Sequence, residues 1–404
     1  MPQGWTPTRI GNICKTNQRT YSVAEKWPFV NYLETGNITE NRVGEIQHIV
    51  IGQDTLPSRA RRKVEVDDII YSTVRPNQRH YGIVRDVLPN MLVSTGFTVI
   101  TGDKEKVDSD FLYYYLTQSD IVDSLHAIGE QSVSAYPSIK PSDIESVELD
   151  LPPLPDQVEI GHTLRVLDDK IANNTKINNH LEQMAQAIFK SWFVDFEPFG
   201  GEQPANWAIG TISDISADIV CGKTPSTKVA EYFGEDIPFI TIPDMHSIVY
   251  VTSTERSLST AGAESQRGKT VPPNSICVSC IATAGLVALT SVPSQTNQQI
   301  NTIVCKDGIS PYFVYLTMVG MAEHIKMLGS SGSATSNLNK GQFSKIELVI
   351  PENSDIKEFA ALVEPLFKAI KANQQENALL AGTRDALLPR LMSGELSVAD
   401  VNTK

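Results

Sequence analysis

DQVEIGHTLRVLDDKIANNTKINNHLEQMAQAIFKSWF, residues 156–193, contains no proline, and its apolar residues return at alternating steps of four and three. The seam so defined runs Ile160, Leu164, Leu167, Ile171, Asn174, Asn178, Leu181, Ala185, Ile188 and Trp192. That spacing predicts one long helix from Asp156 to about Phe193 that packs against another helix. A shift of 199 positions reproduces the pattern as Phe359, Val363, Leu366, Ile370, Asn373, Asn377, Leu380, Arg384, Leu387 and Leu391, a second helix from Asp355 to Leu391. Both seams turn polar at the same two steps. An amide buried in an apolar seam costs free energy unless it meets a partner. Pairing Asn174 and Asn178 with Asn373 and Asn377 would therefore fix the register, antiparallel if a pseudo-twofold axis relates the copies. Asparagines that simply face water are the alternative.

The helices are one part of a larger repeat. Trp5, Ile10 and Ile13 recur 202 positions on as Trp207, Ile212 and Ile215, and SIKPSDIESVELDLP (138–152) aligns with NLNKGQFSKIELVIP (337–351). A period near 200 residues is too long for a solenoid turn, so each copy is a globule with an appended helix. The expected divisions are 1–153 and 198–352 for the globules, and 154–197 and 353–404 for the helical regions. Strand-like runs occur at Asp68–Val74, Val93–Ile100, Ser275–Ile281 and Ile300–Val304, and helical patterns at Asp110–Leu125 and Pro311–Leu328. The fold class is α+β: two mixed globules with two long antiparallel helices forming a coiled-coil-like spacer. At about 1.5 Å per residue such a rod is on the order of 55 Å long, enough to hold two readers one to two duplex turns apart.

Composition narrows the function. With 404 residues, 41% hydrophobic and 20% charged, the chain is long enough for several cores and ordinary for a globular protein. No run approaches the roughly 20 apolar residues of a membrane span, and the start lacks a basic flank followed by an apolar core, so a soluble cytoplasmic protein is expected. The five cysteines are too scattered for a disulfide framework. A net charge of -13 excludes whole-molecule attraction to nucleic acid, so any such contact uses local patches.

Catalytic signatures are missing. There is no GxxxxGK phosphate loop, GxSxG elbow, HExxH pair or glycine-rich cofactor loop, and no Asn/Asp-Pro-Pro-aromatic motif for holding a flipped base. Cys277 and Cys280 have the spacing of half a zinc site but no second pair, and a strand would point them to opposite faces. No catalytic residue and no metal ligand is assigned.

Against the acidic background, Arg59, Arg61, Arg62, Lys63, Arg75, Arg79 and Arg85 face only Glu65, Asp67 and Asp68 between positions 55 and 85. With Asn77, Gln78 and His80 among them, the segment offers cations for phosphates and amides for purine edges. A solvated charged face is the alternative. The second globule supplies Lys223, Thr224, Arg267, Lys269, Asn297, Gln298 and Gln299. Small-residue loops at equivalent places in the repeat add Ser132, Ser134, Tyr136, Ser333, Thr335 and Asn337, where backbone N–H groups can approach phosphate.

The whole chain resembles the specificity subunit of type I restriction-modification enzymes. The resemblance is carried by LPPLPDQ (151–157), LDDKIANNTKINNHLEQMAQAIFKSWFVDFEP (167–198), GKTPSTKVAEYFG (222–234) and LLPRLMSGEL (387–396). It implies two target recognition domains, each reading one part of a split double-stranded DNA sequence, with the helices setting the unread gap. It also implies a non-catalytic chain that binds two adenine-methylating subunits, joined for restriction by two ATP-driven translocase and nuclease subunits. S-adenosylmethionine, ATP and magnesium would belong to those partners. Trp192, Phe193 and Phe196 are an aromatic anchor for such an interface, or else part of a core. Base-reading positions do not carry over by motif. The competing expectation is a coiled-coil scaffold whose globules bind proteins.

Overall fold

The computed structural model describes residues 4–131, 137–330 and 337–398. The chain forms two compact units, Met1–Asp169 with Ala381–Lys404, and Lys170–Leu380. The first contains, in order, β1 (Thr6–Arg9), α1 (Ile10–Ile13), β2 (Cys14–Thr16), β3 (Phe29–Leu33), β4 (Ile38–Thr39), β5 (Arg42–Val43), β6 (Gln47–Val50), β7 (Ala60–Lys63), β8 (Ile69–Ser72), β9 (Tyr81–Ile83), β10 (Met91–Ser94), β11 (Phe97–Gly102), α2 (Ser109–Thr117), α3 (Ser119–Glu130), α4 (Pro141–Glu145), β12 (Glu148–Leu151) and the start of α5 (Leu154–Phe193). Its sheets have the orders β2-β11-β8-β9 and β6-β3-β10-β7, with two-stranded ribbons β1-β12 and β4-β5.

β8 and the first four residues of β11 are buried without a break because both of their faces are covered. Ile69 and Tyr71 point to a core shared with Phe111, Leu112 and Leu164, while Ile70 points to a second core with Phe97, Val99 and Val93. The helical run expected at Asp110–Leu125 is two helices, because Gln118 takes an extended ψ of 140° between α2 and α3. Likewise the run Val93–Ile100 spans parts of two strands, β10 and β11, which join different sheets. Gly161 lets α5 lie against the first turn of α2: an added Cβ would stand 2.8 Å from the Phe111 nitrogen. Buried Gln157 locks the same junction. It accepts from the Asp108 N–H at 2.9 Å and donates to the carbonyls of Pro152 (2.8 Å) and Lys106 (3.1 Å). The closing stretch of the chain completes this core with Leu391 and Met392, and the Arg384 guanidinium reaches Asp168 at 2.6 Å, which also accepts from the Tyr114 hydroxyl at 2.6 Å.

The second unit contains the rest of α5, β13 (Ala208–Thr211), α6 (Ile212–Ile215), β14 (Ser216–Cys221), β15 (Phe233–Gly234), β16 (Ile237–Ile240), β17 (Tyr250–Val251), β18 (Ser257–Leu258), α7 (Thr260–Glu264), β19 (Ile276–Ser279), β20 (Val287–Thr290), β21 (Gln295–Thr296), β22 (Ile300–Cys305), α8 (Pro311–Gly320), α9 (Ala322–Ser330), α10 (Lys340–Phe343), β23 (Glu347–Ile350) and most of α11 (Asn353–Met392). Its main sheet, β14-β22-β19-β20-β17, repeats the order of β2-β11-β8-β9 and adds one strand, and β13-β23 repeats the ribbon. The other sheet is β15-β18-β16-β21. Here too an expected single helix, Pro311–Leu328, is two, interrupted at Met321. Cys277 and Cys280 belong to different cores, on opposite faces of the sheet.

Within this unit the two long helices meet through their asparagines. Asn174 Nδ2 donates to Asn377 Oδ1 at 2.9 Å and to Glu376 at 2.7 Å, and Asn373 Nδ2 donates to Asn178 Oδ1 at 2.9 Å. The partner number falls as the residue number rises, so the segments run antiparallel. Asn174 and Asn178 are buried, and an apolar core that includes Leu181, Ala185, Val363 and Ile370 follows along the same helices. The hydrogen bonds remove the desolvation cost that would otherwise expel the amides.

Candidate nucleic-acid interface

In the first unit the basic residues lie on two neighbouring elements. Arg61, Arg62 and Lys63 belong to β7, with Arg59 just before it, while Arg75 to His80 form the turn between β8 and β9. The turn between β10 and β11 ties them together, because the Thr95 N–H donates to Arg59 O at 2.8 Å and the Thr73 N–H to Gly96 O at 2.8 Å. Some of these cations are already matched. Lys63 pairs with Glu25 and lies over the Trp27 ring, Arg79 pairs with Glu40 at 3.0 Å, and Arg85 bridges Asp67 and Asp110. His80 Nδ1 sits 2.6 Å from Ile38 O. Arg59, Arg61 and Arg62 have no carboxylate within ion-pair reach among the described residues, and Asn77 and Gln78 are exposed. The Arg62 Nε is buried without a hydrogen-bond partner, and burial pulls its guanidinium below the usual arginine range.

In the second unit the polar residues also converge, partly as framework. Gly222 lies where an added Cβ would stand 2.1 Å from Asn297 O, so GKTPS is pressed against the Gln295–Gln299 segment. The Lys223 N–H donates to Thr296 O at 2.9 Å and the Thr224 hydroxyl to Gln298 at 2.7 Å. Asn297 is buried and bonds Gln299, and Lys269 Nζ is held 2.8 Å from Cys221 O. Lys223 and Gln298 are exposed, while Arg267 is exposed but paired with Glu264. Asn337 is exposed and pairs with Ile281. Ser132, Ser134, Tyr136, Ser333 and Thr335 lie outside the described residues.

The three aromatic residues at the end of α5 take part in a core, the second of the two roles expected for them. Trp192, Phe193 and Phe196 are half-buried rather than exposed: the Phe193 ring lies 4.9 Å from Phe359 and 5.0 Å from Phe313, and Phe196 lies 5.8 Å from Trp207. The reason is the start of the second globule, whose Trp207 folds back on the end of α5. Among the described residues no group of His, Cys, Asp and Glu converges as metal ligands, and no helix is long and apolar enough to cross a membrane.

The family model for the type I restriction modification DNA specificity domain matches this chain twice, over residues 2–183 and 204–381. The chain belongs to the type I restriction-modification specificity subunits. It is 35% identical to the HindI specificity subunit of Haemophilus influenzae over 97% of this chain and 99% of that one. Identity to the MjaIX specificity subunit of Methanocaldococcus jannaschii is 25%, over 99% and 95%. The fold is similar to the crystal structure of a type I S subunit from M. genitalium, with a TM-score of 0.58 at 16% identity over 96% of each chain. As a specificity subunit the chain is a DNA recognition component and not a catalyst, and it works with other subunits. The protein-binding scaffold finds no support. Charge and motif do not single out the corresponding strand ends of the two matched segments, where Ser72 pairs with Phe97 and Ser279 with Ile300.

Proposed function

We propose that each unit reads one half of a split double-stranded DNA sequence, and that the paired helices α5 and α11 act as a coiled-coil-like spacer that sets the unread gap. The domain divisions 1–153, 154–197, 198–352 and 353–404 follow from that reading. The observation that carries it is the duplication itself: one strand order, β2-β11-β8-β9, recurs as β14-β22-β19-β20, and the helix attached to each copy pairs through asparagines. Two similar readers on one chain suit a target with two parts. Arg59, Arg61 and Arg62 hold phosphates in one half, where Lys223 and Gln298 serve the other, and the acidic remainder leaves part of the phosphate grip to companions.

Those companions are two adenine-methylating subunits docked on the outward faces of the helices, where Val166, Ile177 and Met184 are exposed on α5. Two restriction and translocation subunits complete the assembly, and S-adenosylmethionine, ATP and magnesium are bound there. The setting is cytoplasmic. Co-purification of the chain with a methylating subunit, followed by methylome sequencing, tests this reading: a two-part motif with adenine methylation in each part is expected. A continuous motif, or no sequence preference, would overturn it.

A further inference from the structure

The same strand ends in serine in both units. Ser72 closes β8 opposite Phe97, and Ser279 closes β19 opposite Ile300, each facing the first residue of the equivalent neighbour strand. Both serines are buried. Their hydroxyls serve the loop that follows. Ser72 Oγ donates to Val74 O at 2.9 Å and accepts from the Val74 N–H at 3.2 Å. Ser279 Oγ donates to Thr283 O at 2.6 Å and accepts from the Leu286 N–H at 2.8 Å. A hydroxyl has one donor and two acceptor sites, and here both kinds are spent on shaping one loop.

The two clamped loops, 73–80 and 280–286, have matching surroundings. Val74 bridges to Ser138 and Ile281 to Asn337, the residues at corresponding places after α3 and α9. Arg79 reaches the hydroxyl of Ser119, the first residue of α3, at 3.2 Å. Gly285 passes so close to Ala322, the first residue of α9, that an added Cβ would stand 2.7 Å from its carbonyl oxygen. One residue beyond each bridge the backbone turns left-handed at a residue with a side chain, Arg75 at φ 47° and Ala282 at φ 63°. Such a conformation is costly without glycine and persists where the surroundings impose it for a purpose. Close to each turn two side chains are exposed, Asn77 and Gln78 in one loop and Ala282 itself with Thr283 in the other. The second loop carries no charge, so no search for basic residues finds it.

We propose that these loops are corresponding base-reading tips, the first reading an adenine edge through the amides of Asn77 and Gln78, the second reading thymine methyl groups through Ala282 and Thr283, with Ser72 and Ser279 as positioning residues. Side-chain amides match the donor and acceptor pair of adenine in the major groove, and alanine and threonine methyls contact the thymine methyl. The inference rests on the reading that each unit recognises one half of the target.

The test is methylome sequencing of the assembled methyltransferase carrying Asn77→Ala with Gln78→Ala, or Ala282→Gly with Thr283→Ser. The second pair removes both methyl groups while relieving the backbone at 282. Each variant is expected to raise methylation of single-base mismatches roughly tenfold in one half of the motif only, and the two variants in opposite halves. Ser72→Ala should relax the same half as the first variant and Ser279→Ala the same half as the second. A wild-type complex with a two-part motif that no variant alters, or a variant that alters both halves, overturns the assignment of the tips. A uniform loss of methylation for the serine variants, with neither half relaxed, overturns their positioning role. A wild-type complex with no two-part motif sinks the reading beneath the proposal and the proposal with it.

Discussion

Arg59, Arg61 and Arg62 differ from Lys63, Arg79 and Arg85 of the same segment: among the described residues no carboxylate lies within ion-pair reach of the first three, whereas the others are matched. Charge counted along the sequence could not separate the two groups, because Glu25 and Glu40 approach from outside the basic segment. Replacing Arg59 and Arg61 with alanine should weaken DNA binding by the assembled complex evenly across sequences and lower its salt dependence by about two counterions, read from the slope of log affinity against log salt. An unchanged slope would remove both from the phosphate contacts. Gln157 illustrates the opposite case, a polar residue whose work is entirely internal. Gln157→Ala would strand the Asp108 N–H and two carbonyls in a dry junction and should cost roughly 2–4 kcal/mol of stability, measured by urea unfolding. The motif LPPLPDQ holds this glutamine and one of its partners, Pro152, but the other two, Lys106 and Asp108, lie on a segment that spacing alone cannot bring to it.

At the scale of elements, the long helices were the most legible part of the chain. A seam of ten positions in two copies leaves little choice, and the observed ends, Leu154–Phe193 and Asn353–Met392, lie within two residues of those expected. The break at Gln118 was not legible because no glycine or proline marks a stop there, and the Gln118 side chain itself closes the last turn of α2 by donating to Tyr115 O, whereas Gly320 stood before the break at Met321. The asparagine ladder makes a sharp energetic prediction. Asn174→Ala or Asn377→Ala alone should cost about 1–3 kcal/mol, and the double variant less than the sum, with a coupling of about 1 kcal/mol in a double-mutant cycle. Strict additivity would mean that the amides do not stabilise one another. Glu376 adds a dependence on pH. Hydrogen bonds from Asn174 and Lys170 hold its carboxyl below the usual glutamate range, so the folded chain binds that proton more weakly than the unfolded chain does. Its contribution is complete above the ordinary glutamate pKa and is lost as pH falls through the lowered value. The stability difference between wild type and Glu376→Gln should therefore be constant near neutrality and shrink below about pH 4.5. A difference that grows on acidification would contradict the assignment.

For the molecule as a whole, duplication was visible in the sequence, and family membership follows from two matched segments. The strand pairing inside each copy was hidden, since β1 with β12 and β13 with β23 join segments far apart in sequence with few apolar residues to mark them. Contact does not respect the linear order either: one unit is assembled from Met1–Asp169 and Ala381–Lys404, while the other is the uninterrupted Lys170–Leu380. The unit that begins first is therefore completed only when Leu391 and Met392 fill its interior, whereas the middle unit needs nothing from beyond its own span. A nascent chain halted before Ala381 should keep a protease-resistant middle and a protease-sensitive beginning, and adding a peptide of residues 381–398 in trans should protect the beginning. Quality control in the cell would then sense premature termination at the amino end of the product, far from where the message was cut short.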